Sequence, residues 1–174
     1  MLDGLFVTPA VTAIIEALGT ANADGRIAVI GDAKLATALG ASRDVIPVAL
    51  SARAAKKLPN AVPSIDALAA TIEPASLAGI VATDVTTDDA WLATLRSYAS
   101  LVRDGGALIF VDKGHAPEAS RRALCAGLTE LEQRHAGRTV VTSGLVTHLG
   151  TVSTNSTIGA QAPVSTAPEG DGLH

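Results

Sequence analysis

The chain has 174 residues, a formal net charge of −4 and one cysteine, a length that suits one domain rather than two. Aromatic residues are only 2% of the chain and no Lys/Arg-rich run is present, so we expect no nucleic-acid partner. A single thiol can neither form a disulfide within the chain nor supply a site of several thiolates, and we expect no metal.

The N-terminal residues and the apolar runs lack the features of exported or membrane proteins. The first residues, MLDGLF, have neither the basic start nor the small-residue cleavage site of a signal peptide. No apolar run approaches the roughly 20 residues that span a bilayer. We therefore expect a cytoplasmic protein with no membrane partner.

The first half of the chain alternates helices with short apolar strands. Thr8 and Pro9 suit the start of a helix, because threonine caps well and proline fits the first helical position. There follow in chain order a strand at 26–30, a helix at 33–40, a strand at 44–50, a short helix at 52–58, a weak strand at 60–65 and a helix at 65–72. Continuous apolar strands are typical of a parallel sheet that is buried on both faces.

The second half contains the clearest elements. In chain order they are a strand at 77–82, a helix capped by Thr86 or Thr87, a strand at 107–111, and a long helix from Pro117 with Leu124, Leu128 and Leu131 at helical spacing. Residues 139–142 and 145–149 are rich in β-forming residues and flank Ser143-Gly144, which predicts a hairpin.

Strands that alternate with helices predict a doubly wound, three-layer α/β/α sandwich with a mostly parallel sheet. The hairpin would add antiparallel pairing at the C-terminal end. We assign this domain to residues 1–150. Residues 151–174 are rich in Ser, Thr, Gly, Pro and Ala, so we expect a disordered tail that buries too little apolar surface to offset its ordering entropy.

Residues 77–112 read LAGIVATDVTTDDAWLATLRSYASLVRDGGALIFVD. This stretch resembles the fourth strand, acidic loop, helix, "L-R-x-G-G" turn and fifth strand of class I S-adenosylmethionine-dependent methyltransferases. The terminal hairpin resembles the antiparallel strand pair that ends that family's sheet. The resemblance extends over roughly residues 1–149 and implies a Rossmann-like fold with S-adenosylmethionine as the possible cofactor.

The cofactor loop departs from the family's pattern. Gly31 matches the first glycine of a G-x-G-x-G loop, but Ala33 and Leu35 stand where the other two would be. The acid that holds the ribose hydroxyls would lie at 49–51, which is Ala-Leu-Ser. The cofactor-binding residues that the resemblance implies are Gly31, Asp32, Ala33, Asp66 near the adenine, and Thr83 with Asp84 at the end of the fourth strand.

Three functions stay open. The first is a methyltransferase-like domain with a degraded cofactor motif, which binds a protein partner or a second copy of itself. The second is an active S-adenosylmethionine-dependent methyltransferase with a variant cofactor loop. The third is an NAD(P)-type dinucleotide-binding domain, in which Gly31, Ala33 and Ala36 stand for G-x-G-x-x-G/A and Ser51 and Arg53 hold a 2′-phosphate.

Three polar residues follow the strand at 107–111, namely Asp112, Lys113 and His115. They come at the same edge of the predicted sheet as the cofactor loop. An imidazole there is chemically able to act as an acid or base. A solvated loop before a helix is the simpler interpretation, and we favour it.

Overall fold

The computed structural model describes residues 4–148, with side chains from residue 9 onward. The predicted tail at 151–174 lies outside this range. The strands are β1 (Ile27–Ile30), β2 (Val45–Val48), β3 (Leu77–Thr83), β4 (Val102–Lys113), β5 (Thr129–Ala136) and β6 (Thr139–Leu145). The helices are α1 (Gly4–Thr20), α2 (Ala33–Gly40), α3 (Ala52–Ala55), α4 (Ile65–Ala69), α5 (Trp91–Leu101) and α6 (Ala116–Cys125), with a 3₁₀ turn at Val85–Thr87.

These strands form one mixed sheet in the order β2-β1-β3-β4-β6-β5. β2, β1, β3 and β4 run parallel, whereas β6 is antiparallel to both β4 and β5. The chain therefore builds the sheet outward in one direction from β1 to β2 and in the other from β3 onward. In doubly wound sheets this reversal leaves a crevice at the carboxyl ends of the two central strands, where ligands bind.

Helices cover both faces of the sheet and give three layers. α1 and α2 bury Ile14, Leu18 and Leu39 against one face. Side chains of α4, α5 and α6, including Leu68 and Leu95, pack on the other face. The predicted doubly wound α/β/α sandwich with a terminal antiparallel hairpin is confirmed. None of the described helices is long and apolar enough to cross a membrane.

The terminal hairpin is formed by other residues than predicted. β6 runs straight through Ser143-Gly144, and the chain reverses at Gly137, whose φ is +67°. Gly144 serves close packing instead of a turn, since a Cβ there would lie 2.6 Å from Leu131 Cδ2. The long helix from Pro117 ends at Cys125, because the chain turns at Gly127 with φ +84° and continues into β5.

Other boundaries also differ from the predictions, and β4 is longer than predicted because it begins at Val102 and ends at Lys113. α1 begins at Gly4 and contains Pro9 in its interior. β2 ends at Val48, because the next residue is left-handed. The weak strand at 60–65 is reduced to one parallel bridge between Val62 and Val48. α5 begins at Trp91 rather than after Thr86 or Thr87, and its N-cap residue makes no side-chain capping bond.

Candidate functional site

A cleft of about 210 Å³ lies at the carboxyl ends of β1 and β3. Gly31 and Asp32 line it from the end of β1, and Thr83 and Asp84 line it from the end of β3. The remaining lining residues come from α1, α2, β4 and β6, namely Ala10, Leu35, Val111, Lys113 and Thr139. The structure thus brings together four of the six predicted cofactor-binding residues at the place where doubly wound folds bind ligands.

Gly31 sits where two strands approach closely. Its φ is +85°, and a Cβ built on it would lie 2.8 Å from Thr83 Oγ1. The Gly31 N–H donates to the Val48 carbonyl at 3.0 Å, and the Thr83 hydroxyl donates to the Ile30 carbonyl at 3.3 Å. Packing and backbone conformation together therefore require glycine here, whether or not a ligand binds.

The Asp32 side chain caps α2. One carboxylate oxygen accepts hydrogen bonds from the Lys34 N–H at 2.8 Å and the Leu35 N–H at 2.9 Å. The backbone of Asp32 is extended, as expected of an N-cap residue. Two of the N–H groups that a helix N-terminus offers to an anionic ligand are thus already bonded within the protein.

Asp84 presents its carboxylate at the lip of the cleft. Its backbone is left-handed, with φ +57°, and its N–H donates to the Val111 carbonyl at 3.1 Å. The Thr87 hydroxyl donates to the Asp84 carbonyl at 2.9 Å. The backbone is therefore fixed, while the exposed side chain faces solvent and can meet a ligand.

Ala33 and Asp66 lie away from the cleft. Ala33 lines a separate groove between α2 and α3. Asp66 is exposed in the first turn of α4 and is not among the residues that line the cleft. At the end of β2, where a ribose-binding acid would stand, the Ser51 hydroxyl accepts from the Ala54 N–H and caps α3.

Asp112 is buried behind the cleft, with 1% of its surface exposed. Its Oδ1 accepts hydrogen bonds from the Thr86 N–H at 2.9 Å and from the Thr86 hydroxyl at 2.7 Å. Its Oδ2 has no hydrogen-bond partner among the described residues. Asp112 follows Val111, which lines the cleft, so strand alternation directs it to the opposite face of β4. It holds the 3₁₀ turn next to Asp84 rather than facing a ligand.

Lys113 and His115 have different positions. Lys113 lines the cleft, whereas His115 is exposed in a left-handed conformation just before α6 and does not line it. The His115 imidazole makes no capping bond to that helix. Lys113 is therefore the cation that the cleft offers to a ligand.

Arg122, which is not among the site residues predicted from the sequence, also holds this turn. Its side chain is 12% exposed, and Nη1 donates to the Val85 carbonyl at 2.6 Å and to the Asp88 carbonyl at 2.7 Å. Its guanidinium lies 5.3 Å from the centroid of the Trp91 ring. The sequence signal is Glu118 one helical turn before Arg122, since Glu118 accepts from Arg122 Nε at 2.7 Å.

The hydrogen bonds from Arg121 and from Arg122 lower the pKa of Glu118 to about 2. A lowered pKa stabilises the folded protein above the unfolded pKa, and this contribution is lost as the pH falls through the folded pKa. We expect Glu118→Gln to lower the melting temperature at about pH 6 and to have little effect at about pH 2. Thermal melts of both proteins, monitored by circular dichroism across this pH range, measure the change in melting temperature.

Glu73→Gln is the matched control, because the Glu73 carboxylate is exposed and makes no ion pair with the described residues. It should leave the melting temperature unchanged over the same range. A destabilisation by Glu118→Gln that is equally large at both ends of the pH range would contradict the assigned ion pairs.

Within residues 4–148 no group of His, Cys, Asp and Glu side chains is arranged to hold a metal ion. No protein-family model and no curated protein matches the sequence. Solved structures do match. Burkholderia thailandensis 1,6-didemethyltoxoflavin-N1-methyltransferase, solved with S-adenosylhomocysteine bound, superposes with a TM-score of 0.65 over 84% of this chain and 80% of its own, at 15% identity. This chain has the class I methyltransferase fold.

Two further relatives share the methyltransferase fold. A putative methyltransferase from Haloferax volcanii, solved with the Trm112 activator, has a TM-score of 0.61 at 13% identity and covers 78% of this chain and 88% of its own. A methyltransferase from Thermotoga maritima has a TM-score of 0.57 at 15% identity and covers 71% of this chain and 83% of its own. The match spans 50% of the CurJ carbon methyltransferase and 36% of the T. Thermophilus 16S rRNA methyltransferase RsmC. At these identities the likeness establishes the fold alone.

Proposed function

We propose that this chain is a methyltransferase-like domain whose S-adenosylmethionine site is degraded and which serves as a non-catalytic binding or assembly module. The observation that carries this proposal is the Asp32 cap on α2. A ligand that approaches the turn between β1 and α2 meets a carboxylate that already holds the Lys34 and Leu35 N–H groups. Displacing such a cap costs about 1 kcal/mol.

The size of the cleft supports the same proposal. Its volume of about 210 Å³ is below the roughly 300–1,000 Å³ of typical small-molecule sites. A cofactor as large as S-adenosylmethionine therefore needs the cleft to open. Opening is opposed by the bonds that hold the 3₁₀ turn, from Asp112 on β4 and Arg122 on α6.

The lack of a ribose-binding acid at the end of β2 also supports the loss of cofactor binding. The segment after β2 has no carboxylate at 49–51, and the Ser51 hydroxyl caps α3. Asp66 on α4 does not line the cleft. A ribose placed at the end of β2 would lack the acid that pairs with its two hydroxyls, which lowers affinity.

An active methyltransferase with a variant loop is the second candidate. It is favoured by one observation, namely that Gly31, Thr83 and Asp84 line the same cleft and the Asp84 carboxylate faces solvent at its lip. In that case the cofactor would lie across the ends of β1 and β3. The dinucleotide-binding candidate is less well supported, because Ser51 and Arg53 line a groove that shares none of the described residues with this cleft.

We further propose a protein partner or a second copy of this chain as the binding partner, in a cytoplasmic setting. The Haloferax volcanii relative is solved in complex with a protein activator, so the fold accommodates protein partners. Size-exclusion chromatography with light scattering should show a dimer or a larger species, or affinity capture should recover a stoichiometric protein. A strictly monomeric chain with no captured partner would argue against the assembly role.

Calorimetric titration with S-adenosylmethionine and S-adenosylhomocysteine tests the loss of cofactor binding. We expect no heat of binding and no change in melting temperature, because a bound ligand stabilises the folded state. A methyltransferase that binds both compounds serves as the positive control. Saturable binding near the micromolar range, about −8 kcal/mol, together with methyl transfer, would overturn the proposal in favour of the active enzyme.

A further inference from the structure

We propose that the groove between α2 and α3 binds a small organic diphosphate. The groove has a volume of about 700 Å³, which is within the range of small-molecule sites. Among the described residues it shares no lining residue with the cleft at the ends of β1 and β3. The inference is therefore independent of whether that cleft holds S-adenosylmethionine.

Three cationic side chains converge on this groove. Lys34 comes from α2, and Arg53 and Lys57 come from α3 and the turn after it. Ser51 lines the groove beside them, and among the described residues no acidic side chain does. The walls are formed by small and apolar side chains, namely Ala33, Thr37, Ala38, Ala54 and Leu58. The groove thus combines a cationic rim with an apolar surface.

Two of the three cations in this groove, Arg53 and Lys57, lack within the described residues the ion pairs that other cations of the protein make. Arg26 pairs with Asp44 and Arg43 with Asp24, and Arg134 pairs with two glutamates. In contrast, Arg53 and Lys57 make no ion pair with a carboxylate in the described part of the chain. The whole chain has a net charge of −4, so the positive charge of Arg53 and Lys57 contrasts with its overall negative charge. Like charges repel, and an anionic ligand would relieve that repulsion.

A diphosphate ester matches this set of groups. It carries about three negative charges at neutral pH, since each phosphate contributes one or two. An arginine fork binds phosphate oxygens in pairs and lysines bind them as point charges. The apolar walls accommodate the uncharged body of the ligand. S-adenosylmethionine has a positively charged sulfonium and would be repelled from the same groove.

Calorimetric titration of the full chain with inorganic pyrophosphate and with ADP tests this site, and adenosine is the uncharged comparison. We expect both phosphate compounds to bind, with affinity that falls as salt is added, and adenosine not to bind. Replacing two of the cations, as Arg53→Gln with Lys57→Gln, should raise the Kd for ADP about tenfold or more. These two side chains are exposed, so the variant should fold normally.

The matched control combines Arg96→Gln with Arg138→Gln. Both are exposed cations, on α5 and on the turn between β5 and β6, and the pair changes the net charge equally. Its Kd for ADP should stay within about twofold of the original protein. The proposal is overturned if neither phosphate compound binds, if adenosine binds as well as ADP, or if the control loses as much affinity. Displacement of ADP by a single-stranded oligonucleotide at lower concentration than by pyrophosphate would overturn the small-molecule class.

Discussion

Replacing Asp112 by alanine is expected to lower the free energy of unfolding by about 2–4 kcal/mol. Asp112 is 1% exposed, and its Oδ1 accepts both the N–H and the hydroxyl of Thr86. Removing the carboxylate leaves these two donors without their acceptor in a part-buried place and opens a space behind β4. Chemical denaturation measures the loss of stability.

The loss should be concentrated in the 3₁₀ turn that follows Asp84. Hydrogen exchange of the Thr86 amide should become faster in Asp112→Ala, because its acceptor is gone. Asp112→Asn is the matched control, since its amide oxygen can still accept from Thr86, and we expect a cost of about 1 kcal/mol. Equal destabilisation by both variants, or an unchanged exchange rate of the Thr86 amide, would show that Asp112 does not hold the turn.

Gly31→Ala should also destabilise the protein by about 2–4 kcal/mol. The φ of +85° is costly for any residue with a Cβ, and that Cβ would lie only 2.8 Å from Thr83 Oγ1. The two effects can be separated by denaturation of Gly137→Ala, a position with φ +67° and no atom within 4 Å of the added Cβ. That control should cost only about 1–2 kcal/mol.

A double-mutant cycle identifies the close contact. Thr83→Ala removes the hydroxyl that the added Cβ would meet, so Gly31→Ala should cost less in that background, by about 1 kcal/mol. Strict additivity of the two substitutions would rule out the contact as a cause. The result bears on function, because a glycine that packing requires is no evidence for a bound cofactor.

The groove between α2 and α3 and the cleft at the ends of β1 and β3 are tested by separate experiments. Failure of pyrophosphate and ADP to bind would overturn the proposed diphosphate site and leave the proposal of a degraded cofactor site unaffected. Binding of S-adenosylmethionine with methyl transfer would overturn the proposal of a degraded cofactor site and leave the diphosphate site unaffected. Within residues 4–148 the two sites share no lining residue, so variants at Arg53 and Lys57 do not alter the described side chains of the cleft.

The sequence by itself determined the fold class. The apolar runs that became β1 and β4, and the helix at 33–40, follow from local composition and periodicity. Their alternation sufficed to predict the layered parallel sheet. The sequence also placed Gly31 at a turn after the first strand, because the apolar run ends there. These features depend on neighbouring residues, and such local patterns can be read without any knowledge of distant contacts.

The tertiary structure decided the hairpin, the helix ends and the roles of the polar residues. Ser143-Gly144 has the composition of a turn, but Ser143 pairs with Ile109 on one side and with Glu132 on the other, which keeps it within a strand. Asp112 meets Thr86 across 26 positions of the chain, and Arg122 meets Val85 across 37. The direction in which a side chain leaves a strand is set by register, and register by contacts between distant residues. For that reason only the folded structure shows that Asp112 holds the 3₁₀ turn and that Arg53 and Lys57 share a groove with Lys34.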